Sequence, residues 1–284
     1  MKRSEKQEAF MKQMKLMLAA FAALLVAVSC GQKKEAPKTL VLYYSQTENT
    51  KALAEEIATK LGADIEEVVP AVPYDGSYEE TIARSVRERE GDILPEIQPV
   101  KANIAAYDIV FVGYPIWFGT YALPMASALN QIDLNGKKMV PFCTFGSGGL
   151  ASSAKDLQDK FPEAEVLPGY GVRTARMEAM PEEVDRFLKA GGYIEGEDVK
   201  LEEFPEAHAV SEAESAIFDA AVEGYRMINA KAQTVSSRAI PGGTEYLFTA
   251  LSTPPEDSPM PAAEMIVYVT ALDGKAPEFT QVVR

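Results

Sequence analysis

Histidine, cysteine and tryptophan are nearly absent from this chain: one His, two Cys and one Trp in 284 residues. The single histidine, His208, stands in an acidic stretch without a Cys or carboxylate constellation around it. That leaves no metal-ligand spacing and no His-centred acid–base pair to read. Two cysteines, Cys30 and Cys143, make no disulfide framework. Positive charge is short as well. The chain has 28 Lys and Arg against 42 Asp and Glu, a formal net charge of −14. No nucleic-acid partner is expected on that balance, which favours basic partners. The pattern G-x-x-x-x-G-K-[ST] is missing, which excludes a P-loop NTPase. The N-terminal apolar run, Leu16 to Val28, is shorter than the about 20 residues that a membrane-spanning helix needs.

That run has the length of a secretory core segment. Lys2, Arg3, Lys6, Lys12 and Lys15 precede it, with Met11 and Met14 as alternative starts. Val26-Ala27-Val28-Ser29-Cys30-Gly31 resembles a bacterial lipobox. The resemblance implies cleavage before Cys30, lipidation of Cys30 and an exported lipoprotein held at a membrane and facing the periplasm or the outside. The other reading is an uncleaved anchor with Cys30 incidental. After cleavage Cys143 is the remaining thiol, and Lys33, Lys34 and Pro37 lie in a short polar tether.

From residue 39 the pattern alternates strand and helix. Strands are expected at Leu40–Tyr44, Asp64–Val69, Asp108–Gly113, Lys138–Phe145 and Ala164–Val172. Helices are expected at Asn49–Leu61, Ser77–Glu90, Tyr121–Gln131, Ser152–Phe161 and Pro181–Ala190. Asp108-Ile109-Val110-Phe111-Val112-Gly113 is the continuous apolar run of a strand buried on both faces. Ile82 and Val86 are the few core candidates of the charged second helix. The pattern predicts an α/β fold with a five-stranded parallel, doubly wound sheet. Such sheets bind ligands beyond the carboxyl ends of their strands. Three loops with unusual residues leave from those ends: 45–50, 114–121 and 145–150.

The first loop, Ser45-Gln46-Thr47-Glu48-Asn49-Thr50, is rich in hydroxyl and amide groups and enters a helix. Unpaired N–H groups and the helix dipole make such a start a phosphate site. An ordinary N-cap uses the same residue types. The second loop, Pro115-Ile116-Trp117-Phe118-Gly119-Thr120, carries the chain's Trp, whose face suits a flat ring; a Trp capping the core is the alternative. The third, Phe145-Gly146-Ser147-Gly148-Gly149, has the glycine density that lets backbone N–H groups face a ligand.

The first loop resembles the FMN-phosphate loop of flavodoxins, with Ser45, Thr47, Asn49 and Thr50 on the phosphate-contacting positions. Glu48 stands where that family usually has Gly, so its carboxylate must point to solvent. Tyr114-Pro115-x-Trp117-x-Gly119 resembles the isoalloxazine-flanking loop of flavodoxins and of flavodoxin-like quinone reductases. The resemblance covers about residues 38 to 190. It implies FMN as cofactor, Ser45, Gln46, Thr47, Asn49, Thr50, Pro115–Thr120 and Phe145–Gly149 as its binding residues, and an electron donor and acceptor as partners. The third loop has no Tyr to cover the outer flavin face, so that face is expected to be open.

After residue 191 the character changes. An acidic connector (191–211) leads to an expected helix, Glu212–Ala232, and four strands: Thr234–Ile240, Thr244–Ser252, Glu264–Leu272 and Glu278–Val283. Gly242-Gly243 and Asp273-Gly274 signal hairpins, and Thr253–Pro261 a longer loop. Tyr246, Phe248, Ile266 and Tyr268 are the core candidates. This small α+β domain, 212–284, has a cystatin- or NTF2-like outline and is expected to pack on the first domain or on a second copy of the chain. The full expected order is a targeting segment 1–29, a tether 30–38, the α/β domain 39–190, the connector and the α+β domain. A phosphoacceptor receiver is excluded, since Tyr44-Ser45 and Gly113-Tyr114 replace the acidic residues it needs. Two functions remain. One is an FMN-dependent oxidoreductase or electron carrier that serves a small, quinone-like acceptor at the cell envelope. The other, favoured by Glu48, is a non-catalytic envelope protein that kept the fold and lost the flavin. No metal is expected.

Overall fold

Strand β1 (Thr39–Tyr43) feeds two cores at once. Leu40 and Leu42 pack on one face with Val110, Val112 and Met139. Val41 and Tyr43 pack on the other with Phe111, Val140 and Phe142. Successive side chains of a strand point to opposite faces, so a strand apolar at every position is one covered on both sides. Strands β3 (Ile109–Trp117) and β5 (Lys138–Phe145) follow the same rule. With β2 (Asp64–Glu67) the parallel order is β2-β1-β3-β5. Gly113 sits mid-strand because a Cβ there would lie 2.0 Å from the Phe142 ring.

The computed structural model describes residues 37–197, 201–225, 228–253 and 261–283. The expected targeting segment, Cys30 and the tether up to residue 36 lie outside the described residues, as does most of the expected loop Thr253–Pro261. No helix among the described residues is long and apolar enough to cross a membrane.

The fifth position of the parallel sheet is split. Pieces β6 (Glu165–Val166) and β7 (Tyr170–Arg173) both pair with β5, where one strand over 164–172 was expected. Pro168 has no N–H for the ladder, and Gly169 approaches so closely that a Cβ would lie 2.3 Å from the Pro141 carbonyl oxygen. Helices α1 (Asn49–Leu61) and α5 (Met180–Ala190) cover one face through Leu53, Ile57, Val184 and Leu188. Helices α3 (Leu123–Leu129) and α4 (Leu150–Lys160) cover the other through Met125, Ala128 and Leu157. Helix α3 is shorter than the expected 121–131 because Thr120–Tyr121 turns back as strand β4 on the end of β3.

Helix α2 (Tyr78–Glu90) departs from the apolar expectation. Ile82 is 38% exposed and Val86 is half-buried, and the helix's buried residue is Ser85. Polar contacts hold it instead. Ser77 and Glu80 form a reciprocal capping box, and Arg84 pairs with Glu88 at 2.8 Å.

The C-terminal part is an antiparallel meander. Its strands are β8 (His208–Ala209), β9 (Ala230–Ile240), β10 (Gly243–Ser252), β11 (Glu264–Leu272) and β12 (Glu278–Val283), in the order β12-β11-β10-β9-β8. Five strands stand where four were expected, because His208–Ala209 of the connector adds to the edge. Helix α6 (Glu212–Val222) ends ten residues before the expected Ala232. Gly224, with φ +75°, turns the chain out of the helix, and residues from Ala230 enter β9. Phe218 and Ala221 of α6 pack on Val235, Phe248, Val267, Val269 and Phe279. In β11 the inward set is Met265, Val267 and Val269, so the expected core pair Ile266 and Tyr268 is displaced to the other face. There Tyr268 meets Phe204 of the connector at 6.3 Å between ring centres.

Candidate functional site

The strand order reverses between β1 and β3: the chain leaves β1 for β2 on one side and returns to β3 on the other. A crevice opens at the carboxyl ends of strands where that happens. The loops after β1, β3 and β5 leave from this end of the sheet, and they are the three that the sequence singled out.

The first loop opens α1 in an unusual way. The residue before the helix, Glu48, has φ 62° and ψ −11°, and no side chain caps the helix start. This rules out the ordinary N-cap reading, and Gly would take this backbone more cheaply, since left-handed backbone costs a side chain about 1–2 kcal/mol. The N–H groups of the first turn are therefore uncapped by any side chain. The Ser45 hydroxyl oxygen is buried without a hydrogen-bond partner among the described residues. A buried unpaired hydroxyl costs about 1–3 kcal/mol, a cost that no group of the chain offsets here among the described residues. The Thr50 hydroxyl is buried against that of Thr144 at 2.8 Å. Asn49 donates through its amide to the Thr47 hydroxyl at 3.1 Å. The Glu48 carboxylate is 73% exposed and pairs with Lys51 at 2.9 Å, so it points to solvent. Gln46 turns inward. Its carbonyl accepts from the Tyr44 hydroxyl at 2.6 Å, and its amide donates to the Tyr74 carbonyl. The structure thus spends Gln46 on holding two segments together.

The second loop builds an aromatic corner. Trp117 meets Tyr44 edge-on at 5.9 Å and Tyr74 at 5.2 Å. The Arg84 guanidinium lies over the Tyr74 ring at 3.7 Å, and the Tyr74 hydroxyl donates to Glu88. Burial, then the bond to Glu88, pushes the Tyr74 hydroxyl far above its ordinary range, so it stays a donor. Phe118, with φ 51°, is 43% exposed and faces Arg89. Gly119, with φ +84°, has open space where a Cβ would stand. Pro115 continues β3 beside Thr144, and the Thr120 hydroxyl donates to Asp156. Tyr44, Tyr74, Arg84 and Glu88 escaped the sequence reading. Tyr44 closes an apolar run and resembles any core residue, and Tyr74 stands in an irregular Pro-Tyr-Asp turn with no pattern around it.

The third loop packs against the C-terminal sheet. Phe145 packs in the core among Tyr114 and Leu157 and does not face the loop surface. Ser147 accepts a hydrogen bond through its carbonyl from the Val282 N–H of β12 at 2.6 Å. A Cβ on Gly148 would lie 2.1 Å from the Val282 carbonyl oxygen, and one on Gly149 would lie 2.6 Å from Ile116. A Cβ on Gly146 would meet the Tyr225 hydroxyl at 3.3 Å. Close packing against β12 and the second loop therefore requires Gly148 and Gly149, while Gly146 has only the end of the Tyr225 side chain beside it. Elsewhere, Cys143 is buried and burial pushes its thiol up, and His208 is exposed beside Glu214 at 3.0 Å. Among the described residues no group of His, Cys, Asp or Glu side chains is placed to hold a metal ion.

The sequence matches the family model described as flavodoxin over residues 38–185. A curated relative, NAD(P)H dehydrogenase (quinone) of Gluconacetobacter diazotrophicus, is 35% identical over 99 residues, which cover 33% of this chain and 46% of the relative. The chain thus spans under half of that relative's length. Among solved structures, a protein of Bacteroides eggerthii is 31% identical with a TM-score of 0.45, covering 52% of this chain and 96% of its own. A flavoprotein of Lactobacillus acidophilus, solved in complex with FMN, is 26% identical with a TM-score of 0.44, covering 48% of this chain and 93% of its own.

Proposed function

The chain belongs to the flavodoxin family, and on that premise we propose that it binds FMN at these three loops and passes electrons to a small, quinone-like acceptor at the cell envelope. The observation that carries the reading is the uncapped start of α1 with the buried, partnerless Ser45 hydroxyl beside it. The residues present fit a phosphate monoester. Ser45, Thr47, Asn49, Thr50 and the first-turn N–H groups supply donors, and the Glu48 carboxylate is turned away and paired with Lys51. Bound flavin supplies the redox chemistry. The chain's own residues bind, orient and exclude water. Trp117 and Phe118 offer an apolar wall, Gly119 a close backbone approach, and Gly146–Gly149 a rigid rim. No protein nucleophile takes part. The envelope location rests on the N-terminal pattern that ends at Cys30, and the donor is a separate partner.

The visible absorption of the purified chain, before and after added FMN, tests the reading. The expected result is a flavin spectrum with Trp117 emission quenched, bleached by reductant and restored by a quinone. A colourless protein that takes up no FMN contradicts it and favours the non-catalytic envelope protein. Bound flavin that a quinone cannot reoxidise removes the quinone-like acceptor alone. An N-terminal peptide with an unmodified Cys30, measured by mass, removes the lipoprotein part.

A further inference from the structure

The part of the chain after the flavodoxin-family segment reaches into the site, and one side chain ties the two together. Arg173, at the end of β7, donates through Nε to the Gly146 carbonyl at 3.0 Å and through Nη1 to the Phe279 carbonyl at 3.0 Å. Its guanidinium also lies over the Phe279 ring at 3.4 Å and faces Tyr225 at 5.3 Å. A planar guanidinium with several fixed donors is the side chain suited to bridging two carbonyls in this way. A second tie lies beside it. Arg176, 7% exposed, joins Glu278 of β12 at 3.1 Å and Glu183 of α5 at 2.8 Å.

The loop between these contacts has no slack. Val282 holds Ser147 and abuts Gly148 on one side. Ile116 abuts Gly149 on the other, and the Ser152 and Ser153 hydroxyls donate to the Gly149 carbonyl. Displacement of β12 is therefore passed through residues 146–149 to Ile116, the neighbour of Trp117. Resting on the FMN reading above, we propose that Arg173 is a positioning residue. With β12 it clamps the 146–149 loop, so that the C-terminal sheet sets the geometry of the ring end of the site.

The test uses the full chain with Arg173→Ala, Arg173→Lys and, in case the first variant folds poorly, Val282→Pro. Val282 lies on the edge strand and gives its N–H to Ser147, so the last change breaks that tie from the β12 side and leaves the sequence of the α/β part intact. Three quantities are read: amide exchange of residues 146–149 without FMN, FMN affinity, and the midpoint potential of the bound flavin. The expected result is exchange at least about tenfold faster and FMN at least about tenfold weaker for Arg173→Ala and Val282→Pro, with a shifted potential. Arg173→Lys, which keeps the charge and loses the fork, falls between. Unchanged exchange at 146–149 overturns the clamp. Faster exchange with unchanged affinity and potential overturns the positioning role while leaving FMN binding intact. A wild-type chain that binds no FMN defeats the functional reading, and the positioning role with it.

Discussion

Helices α1 and α2 begin with the same small vocabulary of hydroxyls and carboxylates and use it differently. At α2, Ser77 accepts from the Glu80 N–H while the Glu80 carboxylate accepts from the Ser77 N–H, and the start is closed. Helix α6 closes the same way with Ser211 and Glu214. At α1 no side chain caps the helix, Glu48 takes left-handed backbone, and the Ser45 hydroxyl lies buried without a partner among the described residues. A closed start is finished by its own chain. An open one, with a buried donor beside it, is finished by something else. The lesson is that residue type names the vocabulary of a helix start, and only the accounting of each donor tells a cap from a ligand site.

The largest effect that sharpens this contrast is expected from Ser45→Ala. A hydrogen bond to a charged group contributes about 1.5–3 kcal/mol, so FMN affinity should fall roughly 10- to 100-fold. Stability of the chain without FMN should hold or rise, because the change deletes an unpaired buried oxygen. Urea unfolding followed by Trp117 emission checks both halves. A loss of stability without FMN would erase the difference between the two helix starts.

Ser77→Ala is the mirror experiment. Removing a cap costs about 1 kcal/mol, and FMN affinity should not change. Glu48→Gly comes next. It relieves left-handed strain, so stability should rise by about 1 kcal/mol. FMN should also bind a few-fold more tightly in an isothermal titration, since a carboxylate leaves the neighbourhood of the phosphate. The smallest effect concerns pH. The Ser77 backbone N–H and then its hydroxyl hold the Glu80 carboxyl below its ordinary 4.5, and Ser211 acts likewise on Glu214. Both carboxyls bind protons less readily folded than unfolded. Their stabilisation is therefore present above about pH 4.5 and lost as pH falls through the lower folded values. Midpoints of urea unfolding between pH 6 and 3 should show this loss, and Glu80→Gln should flatten part of it.

Much of the α/β part was legible because its signals are local. The apolar runs of β1, β3 and β5 announce strands covered on both faces. Asn49 and Gly62 bracket α1 at the observed bounds, Gly62 in the left-handed conformation that ends the helix. What escaped depends on partners distant in sequence or on a single backbone angle. Gln46 looked like a ligand donor, and only the fold brings it to the Tyr74 carbonyl. The glycines of the third loop looked like a ligand cradle, and Val282, far along the chain, accounts for Gly148. Gly224 was read as helix interior, and its φ of +75° ends α6. The inward face of β11 was misplaced because Ile266 and Tyr268 are as apolar as the residues that alternate with them.

The most direct measurement is a parallel titration of the chain with FMN and with riboflavin, which differ by the phosphate. If the open start of α1 is a phosphate site, FMN binds at least about 100-fold more tightly than riboflavin, the worth of two charge-assisted hydrogen bonds. Equal affinities would mean that the start of α1 takes no phosphate and that the buried Ser45 hydroxyl serves some other end.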